Sequence, residues 1–162
     1  MLRRLTPDQA EMVARLADSL YPSGFPMAPE DIRANLSGLT ESESLCYWVE
    51  EDGEMVGFLM AWRDVSQVEG REDEPIVLVD DLCVTARHRR HAYTLLRALE
   101  KGLRERGIHG IPLEGTHRLE ADRLFSQHAA VVRRLGYRRV AEHRYESEHG
   151  ETLVWTRYES AL

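Results

Sequence analysis

Cysteine, lysine and long apolar runs are all scarce in this chain, and each scarcity excludes a class of protein. The two cysteines, Cys46 and Cys83, cannot build a disulfide framework or a four-thiolate zinc site. They read as buried thiols of a reducing compartment. No apolar stretch approaches the ~20 residues of a membrane span. Met1–Pro7 has no signal-peptide core, so a cytoplasmic protein with no membrane partner is expected. Positive charge is outnumbered, with 21 Lys plus Arg against 28 Asp plus Glu and a net charge of -7. An acidic excess repels phosphate backbones and argues against a nucleic-acid partner. Lys101 is the sole lysine, a bias that fits codon composition better than function.

What remains is an ordinary globular composition, 43% hydrophobic and 30% charged. A length of 162 residues fits one domain, 1–162. Such a chain buries about 70% of its unfolded surface and needs no metal or disulfide staple. Repeats and low-complexity segments are absent.

Thr6-Pro7-Asp8-Gln9 is a helix start with a capping box, and Met12, Val13, Leu16 and Leu20 follow at helical spacing. Tyr21 to Gly24 ends that helix, Pro26 to Pro29 is a loop, and Pro29 to Leu36 is a short second helix. The period then changes. Leu45 to Val49 and Met55 to Trp62 are strands around an Asp52-Gly53 hairpin turn. Asp64 to Pro75 is a polar loop. Ile76 to Val84 is apolar at both parities, as in a strand buried on both faces. Ala92 to Arg106 is a helix with Leu95, Leu96, Leu99 and Leu103 as its buried stripe. Ile108 to Leu113 reads as a strand, Leu119 to Leu135 as a helix, and Tyr137–Tyr145 with Leu153–Tyr158 as a closing hairpin. The fold class is therefore α/β (α+β), one layered domain on a central sheet.

This order resembles the GNAT-type N-acetyltransferase superfamily. Four stretches carry the resemblance: Glu51 to Leu59 as the second hairpin, Leu82-Cys83-Val84 running into a basic loop and a Leu-Leu helix, Leu135-Gly136-Tyr137, and the closing hairpin. It implies a mixed, mostly antiparallel twisted sheet with helices on both faces. It also implies an acyl-CoA co-substrate (acetyl-CoA first), no metal, and an amine acceptor on a small molecule or peptide. A homodimer is a further expectation. Two other readings stand beside it: a GNAT-fold module that binds a ligand without catalysis, and a GNAT-like enzyme acting on nucleobases.

In the family, the loop before the third helix reads Arg/Gln-x-x-Gly-x-Gly/Ala and holds the coenzyme's pyrophosphate. Here the segment is Arg87-His88-Arg89-Arg90-His91-Ala92-Tyr93. Counting back from Leu95-Leu96 sets the family's arginine at Arg87, with Arg90 and Ala92 in place of its glycines. Counting forward from Val84 gives Arg89, Ala92 and Thr94. Both counts lack the glycines and share Ala92. Cations before a helix N-terminus oppose its dipole, so their gathering there points to an anion. The alternative is that Arg87, Arg89 and Arg90 pair with neighbouring carboxylates such as Asp80 or Asp81. Leu82, Cys83 and Val84 are expected to meet the pantetheine arm through their backbone.

Asp80 and Asp81 interrupt the apolar strand. Alternation sends them to opposite faces unless a bulge turns both the same way. A carboxylate in apolar surroundings has a raised pKa and suits general-base work on an amine. Glu114, after the strand Ile108–Leu113, is the third candidate base. The family's general-acid tyrosine falls at Val132, which has no hydroxyl; Tyr93, His117 and His128 are the substitutes considered.

Overall fold

The computed structural model describes residues 1–20, 28–118, 130–148 and 150–160, the side chains of His117 and Arg118 excepted. The chain-order elements are β1 (Leu2–Arg4), α1 (Ala10–Leu20), α2 (Pro29–Gly38), β2 (Tyr47–Glu51), β3 (Glu54–Val65), β4 (Pro75–Val84), α3 (Arg90–Glu105), β5 (Leu113–Arg118), β6 (Tyr137–Glu146) and β7 (Thr152–Ser160). They form a 7-stranded sheet in the order β1-β2-β3-β4-β5-β7-β6. Among the described residues only β4 and β5 pair in parallel; every other neighbour is antiparallel.

Alternation along the central strands feeds two cores. Leu59, Ala61, Val77 and Val84 pack with the Leu95, Leu96, Leu99 and Leu103 stripe of α3. Cys46, Trp48, Phe58, Met60 and Cys83 face the other way, against Val13, Leu16 and Ala17 of α1 and Ile32 and Leu36 of α2. Helices on both faces of a mostly antiparallel sheet are thus the observed architecture, as expected.

The local punctuation mostly behaves as read. Gln9 Oε1 accepts from the Thr6 amide at 2.8 Å and from the Thr6 hydroxyl at 2.9 Å. Asp52 (φ 52°) and Gly53 (φ 80°) make the tight β2–β3 turn, where positive φ favours Asp and Gly. β1 went unpredicted, because three residues carry no readable period.

One strand is displaced from its expected position. Residues 108–112 are not a strand: Gly110 has φ 68° and Pro112 lacks an amide donor, so pairing begins at Leu113 and runs to Arg118. The expected helix 119–135 falls largely outside the described residues, with 130–134 helical. The readings at 21–27 and at His128 also lie outside them.

Candidate active site

β4 does not run straight. Its pairing with β3 slips between Met60↔Asp81 and Ala61↔Val79, which leaves Asp80 as the extra, unopposed residue of a bulge. Val79 and Leu82 both pack on the α3 side, so two residues rather than one separate them. Asp81 is opposite Met60 and two residues before Cys83, both of which belong to the α1/α2 face. Asp80 follows Val79, and strand alternation turns it away from the α3 side, toward that same face. The bulge thus resolves the open question of strand parity.

Electrostatics separates the two carboxylates. Burial pushes Asp81 up to about 7, the Asp80 charge adds to the rise, and the Cys83 thiol, donating to Asp81 Oδ1 at 3.3 Å, opposes it. Asp80 is exposed yet walled by enough protein for desolvation to raise its pKa as well. Neither carboxylate forms an ion pair among the described residues.

Beside the bulge, β4 and β5 part. Only Val77↔Leu113 and Leu78↔Glu114 are paired, although β4 continues to Val84 and β5 to Arg118. The edge of β4 from Val79 through Leu82, Cys83 and Val84 therefore has no β5 partner. Gly115 borders the fork, where a Cβ would stand 3.0 Å from the Val79 carbonyl oxygen. A larger residue there would force the strands apart one step earlier.

From Val84 the chain turns through a short 3-10 segment, Ala86–His88, into α3. Ala92, the small residue common to both counts, is fully buried in the first turn of α3 and lets the helix lie close to the sheet. Tyr93 is exposed, and the Arg134 guanidinium lies over its ring at 5.4 Å. The basic residues divide into two sets. Arg90 gives Glu51 Oε1 a bond of 2.5 Å, His91 Nε2 meets the same oxygen at 2.7 Å, and His88 Nε2 meets Oε2 at 2.9 Å. These contacts, His91 foremost, hold Glu51 below the usual carboxylate range. Arg87 and Arg89 are exposed and form no ion pair among the described residues. The expected alternative, pairing with neighbouring carboxylates, therefore holds for Arg90, through Glu51 rather than Asp80 or Asp81, and not for Arg87 or Arg89 among the described residues. Glu51 escaped notice in the sequence because it was read only as the start of the second hairpin. The signal available was the acidic run Glu50-Glu51-Asp52 set against a basic segment of equal charge.

Glu114 stands elsewhere than expected. It is the second residue of β5, not a strand end, and is 1% exposed. Its Oε1 accepts from Ser66 Oγ at 2.7 Å and from Arg157 at 2.8 Å. Arg157 also meets Glu74 and, at 3.1 Å, Glu159. Ser66, Glu74 and Arg157 were not anticipated. Their partners lie 43 to 83 residues apart in sequence, beyond any local pattern. Glu114 thus sits in a buried ion pair through Oε1, while its second oxygen, Oε2, is buried with no hydrogen-bond partner among the described residues. Val132, at the family's tyrosine position, is buried beneath α3 and supplies no proton.

Comparison with known proteins bears on the family and the fold. A family profile described as Acetyltransferase (GNAT) family matches residues 10–129. No curated protein sequence matches the chain. Among solved structures, Ard1 from Thermoplasma volcanium superposes with a TM-score of 0.68 at 18% identity, covering 100% of this chain and 97% of that one. NAA60 from Arabidopsis thaliana, in complex with acetyl-CoA, gives 0.67 at 13% identity over 98% and 97%. Diaminobutyrate acetyltransferase EctA from Paenibacillus lautus, holding L-2,4-diaminobutyric acid and coenzyme A, gives 0.65 at 16% identity over 96% and 93%. With a profile match over most of its length and the corresponding fold, this chain belongs to the GNAT acetyltransferase family.

Proposed function

We propose that the chain transfers an acetyl group from acetyl-CoA to a primary amine of a small molecule or peptide, by direct attack of the deprotonated amine. The observation that carries this reading is the β4 bulge. It sets Asp80 and Asp81 on one face, at the level where β4 and β5 separate.

The residues present suit the co-substrate. Arg87 and Arg89 are exposed cations without carboxylate partners among the described residues, and a guanidinium fork matches phosphate oxygens. The first turn of α3, with Arg90, His91, Ala92 and Tyr93, adds the positive end of a helix dipole. Leu82, Cys83 and Val84 offer main-chain groups to an amide-bearing arm. When bound, acetyl-CoA supplies the acetyl group as a thioester, already activated toward an amine.

The chain's own residues handle the proton. An ammonium must be deprotonated before it can attack, and Asp81, with a pKa of about 7, can accept that proton near neutral pH. Asp80, exposed beside it, attracts the cationic acceptor and passes the proton outward. Catalysis then requires ionised Asp81, so the rate should rise with pH through about 7 and level above it. The NAA60 and EctA likeness supports an acyl-CoA co-substrate and an amine acceptor in this fold. A second reading, a module that binds without catalysis, is favoured by one observation, the buried Val132 where a hydroxyl would serve as general acid.

The test is the Asp81→Asn variant with acetyl-CoA and a panel of amines. Turnover should fall by roughly 10²–10⁴-fold and the acidic limb of the pH profile should vanish, while acetyl-CoA affinity is kept. Full activity in both the Asp80→Asn and Asp81→Asn variants would exclude the bulge as the base.

A further inference from the structure

The turn that leads into α3 has an unusual problem. Residues 85–92 contain three arginines, two histidines and no glycine. Such a segment repels itself and has none of the backbone freedom that glycines give a phosphate-holding loop. Beyond its own turn bonds, His88 N–H to the Thr85 carbonyl at 2.9 Å and Ala92 N–H to the Arg89 carbonyl at 3.1 Å, a group outside the segment can order its side chains.

One side chain does. Glu51, the last residue of β2, receives Arg90, His88 and His91 on its two oxygens, at 2.5, 2.9 and 2.7 Å. The contact extends further: His88 Nδ1 is within 2.6 Å of Thr85 Oγ1. In the neutral ring, with Nε2 of His88 donating to Glu51, Nδ1 accepts the threonine hydroxyl proton; in the protonated ring Nδ1 donates to that hydroxyl oxygen. A hydrogen-bonded line therefore runs from Thr85 through His88 to Glu51 and on to His91. The two imidazoles lie nearly parallel, with centroids 6.3 Å apart and planes 20° apart. Every basic residue of the segment touches Glu51 except Arg87 and Arg89, which project to solvent.

We infer that Glu51 is a positioning residue: its carboxylate fixes the 85–92 turn through His88, Arg90 and His91, and so leaves Arg87 and Arg89 presented to an anion. The inference rests on the reading that the phosphates of acetyl-CoA meet this turn. It makes a prediction opposite in sign to simple electrostatics. By Coulomb's law alone, removing a negative charge beside an anion site strengthens anion binding. If Glu51 positions the turn, its removal weakens binding.

Two variants separate reach from charge. Glu51→Asp keeps the charge and loses one methylene of reach; Glu51→Gln keeps the reach and loses the charge. Three measurements apply to each: amide hydrogen exchange of the ligand-free chain, calorimetric titration with coenzyme A, and NMR titration with pantetheine, which has no phosphate. Exchange across 85–92 should quicken at least fivefold in both variants and stay unchanged elsewhere. Coenzyme A affinity should fall at least fivefold in both, and pantetheine affinity should stay the same. Tighter or equal coenzyme A binding by Glu51→Gln overturns the inference. So does unchanged exchange in Glu51→Asp. A uniform rise in exchange over the whole chain, with both ligands weakened alike, overturns it too, by assigning Glu51 to general stability. If the unaltered chain binds no coenzyme A, the proposed function fails on its own, and the exchange data decide the role of Glu51.

Discussion

Asp81, the proposed base, also bears on stability. Its carboxyl titrates near 7 in the folded chain and near 3.8 as an ordinary aspartate. The folded state therefore keeps a proton that the unfolded state releases. Stability tied to this group is intact below the unfolded value, falls as pH climbs from about 4 to 7, and stays lowered above that. Asparagine resembles the protonated acid and carries no such cost. Asp81→Asn should thus melt at the same temperature as the unaltered chain near pH 4 and at a higher temperature near pH 8, as read by scanning calorimetry. A lower melting temperature at the higher pH would make the carboxylate a structural partner instead. At this scale the sequence was informative where chemistry contradicted pattern. Two aspartates inside an apolar strand, and arginines ahead of a helix, were visible without coordinates. Glu51, Ser66 and Arg157 were not, because their partners are brought close only by the sheet.

At the scale of elements, periodicity located most of the architecture. The 3.6-residue leucine stripe of α3 and the Asp-Gly turn of the β2–β3 hairpin were readable because each is a local consequence of side-chain geometry. β5 was misplaced because Ile108-His109-Gly110-Ile111-Pro112 has the composition of a strand, while Gly110 at positive φ and Pro112 without an amide hydrogen prevent pairing. That shift moved Glu114 from an expected open end into a closed ion pair. The bulge in β4 lay between: two polar residues in a row permitted it, but only pairing with β3 established it. The packing of α3 has its own test. Leu99 is 1% exposed between helix and sheet. Leu99→Ala should lower unfolding free energy by about 2–5 kcal/mol in urea titration, through lost burial and an unfilled cavity. A change under about 0.5 kcal/mol, the range of surface positions, would mean that α3 turns another face to the sheet.

For the whole molecule, the arrangement of charge matters more than its total. A chain of net charge -7 keeps carboxylates on the bulge face of β4 and exposes Arg87 and Arg89 at the turn before α3. An anionic co-substrate and a cationic acceptor would thus meet opposite fields at the two sides of the β4–β5 fork. Among the described residues no helix is long and apolar enough to cross a membrane. If the turn before α3 binds the phosphates of acetyl-CoA, calorimetric titration should show saturable binding by the unaltered chain, weakened by added salt. In the Arg87→Ala, Arg89→Ala double variant the affinity should fall at least tenfold, about 1.4 kcal/mol. No binding by the unaltered chain, or equal affinity in the double variant, would contradict it.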